Sequence, residues 1–227
     1  MALLIVAAQR VTTSRSLSCR WGSTAFVDEL SIEQSEKTMT TEPTILEVSN
    51  ANGVGLRVTF EWHRDRYRQL IECIHQQQSQ LVLSSLEGSS DDDWPPSPPF
   101  QQLSLEGSCD DQQTLFLVGM AGKSHWSGSV EVRQESSQII FDVACRCRDF
   151  PQFLGSVYTN DSVESEIGDD NTALLTTATG AVRLQLEPTA GDDPECRLSI
   201  GRQITIQRPN SNSSVPCTLR WKYCLRV

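Results

Sequence analysis

Ten residues at the C-terminus restrict the fold more than any other feature of the chain. Thr218 to Val227 places Leu219, Trp221, Tyr223, Leu225 and Val227 on one side, and Thr218, Arg220, Lys222, Cys224 and Arg226 on the other. Successive side chains point to opposite faces only in extended backbone, so this period of two describes a strand with one buried and one wet face. The pattern recurs. Val54, Leu56, Val58, Phe60 and Trp62 alternate with Gly55, Arg57, Thr59, Glu61 and His63. Trp126, Gly128, Val130 and Val132 alternate with Ser127, Ser129, Glu131 and Arg133. Ile139, Phe141, Val143, Cys145 and Cys147 alternate with Ile140, Asp142, Ala144, Arg146 and Arg148, and the turn at Gln134–Ser137 predicts a hairpin between these last two strands.

Shorter strands fall at Gln80–Leu86, Leu103–Leu105, Val182–Leu186 and Leu198–Ile206, with turns every 8–14 residues and no long helical pattern between them. That spacing predicts an all-β fold, an antiparallel β-sandwich or flattened barrel of about ten strands. Tyr67, Leu70, Ile71 and Ile74 also fit a helical face, so this stretch reads as a strand or one short helix. Leu115–Val118 is apolar on both faces and predicts a central strand covered on both sides; Trp62, Trp126 and Trp221 share the aliphatic rows and are expected in the core. Residues 1–43 lack sustained periodicity and end in a Ser-, Thr- and Glu-rich stretch, so they read as a disordered leader and linker before a single β domain at 44–227.

With a net charge of −10 over 227 residues, the chain is poorly suited to nucleic acid or anionic membrane, both of which call for basic side chains. No apolar run approaches the ~18 residues of a membrane-spanning helix. The eight cysteines include no Cys-x-x-Cys, and a domain of this size has no need of staples, which points to reduced thiols and a cytoplasmic setting. In an exported protein, Cys196 could instead pair with Cys217 or Cys224.

The motifs that suggest chemistry are weak. Gly119-Met-Ala-Gly-Lys-Ser124 mimics a phosphate loop, but Leu117 stands where the first glycine belongs and a strand follows instead of a helix. A β-turn with Lys123 at its tip is the expectation. Ser85-Leu-Glu-Gly-Ser-Ser-Asp-Asp92 recurs as Ser104-Leu-Glu-Gly-Ser-Cys-Asp-Asp111, a strand end followed by an acidic loop. Asp91, Asp93, Asp110 and Asp111 would supply calcium with oxygens if those loops met at one pole. His63, His75, His125 and the cysteines show no zinc-ligand spacing. Ser127 and Ser129 share an outward face with His125 but form no nucleophile elbow. In the C-terminal strand, rings and charges lie on opposite faces, so Trp221 and Tyr223 do not form a nucleic-acid stacking surface. Trp94, held among four prolines between Glu87 and Pro99, is a candidate contact for a ligand or partner, with Lys123 and His125.

Three stretches carry a resemblance: Asp92-Asp-Trp-Pro-Pro-Ser-Pro-Pro-Phe-Gln-Gln-Leu103, Val118-Gly-Met-Ala-Gly-Lys-Ser-His-Trp-Ser127, and Phe141-Asp-Val-Ala-Cys-Arg146 with Leu154-Gly-Ser-Val-Tyr158. Within roughly residues 54–158 the chain resembles an uncharacterised bacterial family of β proteins. The resemblance implies a β-sandwich-like fold and no activity or residue roles. The function expected is a non-enzymatic binding or interaction module for a protein or small ligand, without a cofactor. The alternatives are a hydrolase with Ser, His and Asp assembled in space, and a calcium-binding sandwich.

Overall fold

Alternation is realised as two stacked antiparallel sheets that do not close into a barrel. The computed structural model describes residues 42–107, 113–160, 164–168, 171–187, 196–209 and 214–227. The chain first runs as a meander through β1 (Thr44–Ser49), β2 (Val54–His63), β3 (Arg66–His75) and β4 (Gln78–Ser85). It then crosses to a second meander, β5 (Phe100–Glu106), β6 (Thr114–Ala121), β7 (Ser124–Arg133) and β8 (Gln138–Cys147). β9 (Gly155–Thr159) returns to the first sheet beside β4, and β10 (Glu164–Gly168), β11 (Thr172–Thr177) and β12 (Gly180–Glu187) extend the second. β13 (Arg197–Ile200) and β14 (Gln203–Gln207) finish the first sheet, and β15 (Cys217–Arg226) inserts between β12 and β8.

The sheet orders are β1-β2-β3-β4-β9-β14-β13 and β10-β11-β12-β15-β8-β7-β6-β5. The last strand to leave the chain is thus central in its sheet. Fifteen strands replace the expected ten among the described residues, because β1, β9, β10 and β11 are only five or six residues long and the expected strand at Leu198–Ile206 divides into β13 and β14. The helical option at Tyr67–Ile74 is corrected to β3. Its inward row is Tyr67, Gln69, Ile71 and Cys73, so a buried glutamine hides the period of two. Residues 1–41 of the expected leader lie outside the described residues.

The core lies between the sheets. Trp126 and Trp221 meet edge to face at 5.9 Å, and Phe141 stacks on Tyr223 at 4.8 Å. A polar seam runs through this apolar layer. Tyr158 of β9 donates its hydroxyl hydrogen to Gln69 Oε1 (2.8 Å), its oxygen lies 2.5 Å from the Tyr223 hydroxyl, and Trp221 Nε1 donates to Ser156 Oγ (3.1 Å). The Tyr158–Tyr223 and Trp221–Ser156 bonds join the two sheets, the Tyr158–Gln69 bond links β9 to β3 within one, and all satisfy groups that would otherwise be costly to bury. Burial pushes the Tyr223 hydroxyl up to about 12, so it stays protonated and able to donate.

Two expectations about aromatic and apolar positions are corrected. Trp62 is 40% exposed; it lies one residue pair from the β2–β3 turn, edge-on to Tyr67. Phe116 and Val118 are 42% and 47% exposed, because β6 has the core on one side only.

Candidate functional site

Strand register builds a site on the outer face of the eight-stranded sheet. Met120 of β6 faces His125 of β7, which faces Arg146 of β8, which faces Thr218 of β15. The next row runs Gln102, Val118, Ser127, Ala144 and Arg220. Directly opposed residues on one face lie about 5 Å apart, so each row is a continuous line of side chains. Ser127 and Ala144 are small, so the surface dips between the taller Val118, Met120, His125 and Arg146. The result is an open groove of about 540 Å³, within the about 300–1,000 Å³ usual for binding sites.

Local sequence explains the groove's walls. β6 and β7 join through Gly122 and Lys123, with Gly122 at φ 52°, as the first central position of a type II′ hairpin turn requires. A Cβ at Gly122 would also collide with the Asp93 carboxylate. At the sheet edge β5 bulges between Phe100 and Gln102. The amide of Gln101 then pairs with the Met120 backbone, accepting from its N–H (3.1 Å) and donating to its carbonyl (3.3 Å). Gly119 lets Pro99 approach, since a Cβ there would overlap the Pro99 carbonyl oxygen.

The groove carries no acid among its lining residues. Arg146 is exposed and makes no ion pair among the described residues, whereas the neighbouring Arg220 is held by Asp142 through two hydrogen bonds. Beyond the groove, Phe116 continues the apolar surface and stands opposite Ser104 of the edge strand.

Of the expected contact residues, His125 lines the groove, and Lys123 sits at the hairpin tip, ion-paired to Asp149 at 3.2 Å. Trp94 is half-buried and packs against the core, in a crossover whose Pro95, Ser97, Pro98 and Pro99 are buried. Ser97 Oγ ties that crossover to β9, donating to Val157 O and accepting from Val157 N. Asp91 and Asp93 are exposed on the same crossover; Asp110 and Asp111 lie outside the described residues. Among the described residues, no three His, Cys, Asp or Glu side chains gather as a metal ion would require.

The two Leu-Glu-Gly copies belong to different sheets and differ in setting. Glu106 is exposed on β5, whereas Glu87, just past β4, is largely buried. Glu87 accepts from Ser85 Oγ (2.5 Å), which itself accepts from Gln69 N–H (2.8 Å). Burial pushes the Glu87 carboxyl up to about 6, despite Ser85 and the nearby Arg66 and Arg68. This buried acid was not singled out from sequence, because its motif also occurs in an exposed setting. Arg146 was also not singled out, although alternation placed it on the His125 face once β7 and β8 were paired.

No hydrogen bond joins His125 or His63 to a Ser or Asp among the described residues. No protein-family model matches the chain, and no curated protein matches it.

Proposed function

We propose that this chain is a non-enzymatic binding module whose outer-face groove takes a protein segment carrying an aliphatic side chain beside an acidic one. The observation that carries this reading is the pairing of rows: an apolar wall of Val118 and Met120, a floor of Ser127 and Ala144, and Arg146 across from them without an acid. A carboxylate reaching Arg146 would gain a charge-assisted hydrogen bond, and His125 beside it offers a further polar contact. The open shape and the apolar surface running on to Phe116 suit a protein partner better than an enclosed small molecule, since exposed apolar patches with polar rims mark interaction sites.

Selection of a phage-displayed peptide library against the full chain tests this. Enriched peptides are expected to place Asp or Glu next to Leu, Ile, Val or Phe. Their affinity should fall at least about tenfold, or 1.4 kcal/mol, in Ala144→Trp, which fills the floor, and in Arg146→Glu, which reverses the charge. Both positions face outward, so circular dichroism should be unchanged. Peptides of another pattern, or equal binding to all three proteins, would overturn the reading.

A further inference from the structure

Three thiols meet at one corner of the core, and the docking function makes no use of them. Cys145 and Cys147 are fully buried on the inner face of β8, with Sγ atoms 3.7 Å apart. Cys217, the first residue of β15, stands directly opposite Cys147 in the antiparallel ladder and is partly exposed. All three are free thiols.

Distance decides which pair can be joined. Facing residues on antiparallel strands have Cα atoms about 4.5–5.5 Å apart, well inside the about 4.4–6.8 Å window of a disulfide. Cys145 and Cys147 are two residues apart on one strand, which separates their Cα atoms by about 6.4–6.8 Å, at the far edge of that window.

We propose that Cys147 and Cys217 form a thiol–disulfide exchange site, closed to a cross-strand disulfide by a small-molecule disulfide such as oxidised glutathione. Cys217, the sulfur within reach of solvent, loses its proton and attacks one sulfur of the small disulfide. The S–S bond breaks, and the first small thiol leaves with that proton. Cys147 then attacks Cys217 Sγ, and the second small thiol leaves carrying the Cys147 proton. The two cysteines lose two electrons in all, and the small disulfide gains them as two thiols.

Access sets this order of events, because Cys147 is fully buried and Cys217 is partly exposed. Cys147 Sγ lies 3.7 Å from both the Sγ and the carbonyl oxygen of Cys145, and the Cys147 thiol beside it, with burial, pushes Cys145 up. Burial raises the Cys217 thiol, which slows its first attack without redirecting it, since Cys145 and Cys147 are fully buried. Along the ladder, Cys147–Cys217 is the next pair after Arg146–Thr218 of the groove. The bond would clamp β15 to β8 under that rim.

Equilibrating the full chain in a glutathione redox buffer, then mapping peptides without reduction, tests the site. The expected product is one peptide pair joined through Cys147 and Cys217, lighter by two hydrogen atoms and restored by dithiothreitol. Cys147→Ser should strand the intermediate, leaving Cys217 capped by glutathione. Cys217→Ser, at a partly exposed position, should keep the fold and abolish both products. Wild-type protein that stays unlinked, or that joins Cys145 to Cys147 instead, would overturn the proposal.

Discussion

Trp221→Ala is expected to unfold the protein or leave it barely folded. Trp221 is fully buried at the centre of the eight-stranded sheet, edge-on to Trp126 and hydrogen-bonded to Ser156 across the sandwich. Truncating a buried Trp costs about 3–5 kcal/mol through lost transfer energy and the cavity left behind. It would also remove the donor that satisfies the Ser156 hydroxyl. Typical domain stability is about 5–15 kcal/mol, so the loss is a large share of the whole. Lys222→Ala, one residue on but facing outward, should change the urea midpoint little. Similar midpoints for the two variants would show that the facing of β15 is wrong.

The second large effect depends on pH. Folding raises the Glu87 carboxyl from 4.5 to about 6, burial being the main cause. Below about pH 4.5 the group is protonated in both folded and unfolded chain, and it contributes no difference. As pH rises toward 6 the unfolded chain ionises first, so stability is lost, and above about 6 the loss is complete at about 2 kcal/mol. Glu87→Gln keeps an acceptor for Ser85 and never ionises. Its stability relative to wild type should therefore improve by about 2 kcal/mol between pH 4 and pH 8 in urea denaturation. A difference that stays constant, or moves the other way, would mean the carboxyl is well solvated or well paired.

How far the sequence reveals this fold depends on which residues carry the period. β7, β8 and β15 announce themselves, since their inward rows are almost wholly apolar and the β7–β8 hairpin has a clear turn. β3 does not, because Gln69 occupies an inward position that Tyr158, from a distant part of the chain, makes tolerable. The turn before β4 is equally opaque: Gln76 and Gln77 take φ 49° and 67°, a conformation usually left to Asn or Gly. Phe116 and Val118 show the limit for the site. Alternation places them on the outer face, but whether another layer covers that face is a property of the whole topology. His125 was recognisable as an outward residue, whereas its row with Arg146 and Met120 exists only once three strands are in register.

The groove as a docking face is tested most directly by hydrogen–deuterium exchange of the chain with and without a selected acidic–aliphatic peptide. Exchange should slow in Val118–Ser127 and Ala144–Arg146 and stay unchanged in β1 to β4. Protection confined to β1 to β4, or to the proline-rich crossover around Trp94, would contradict it.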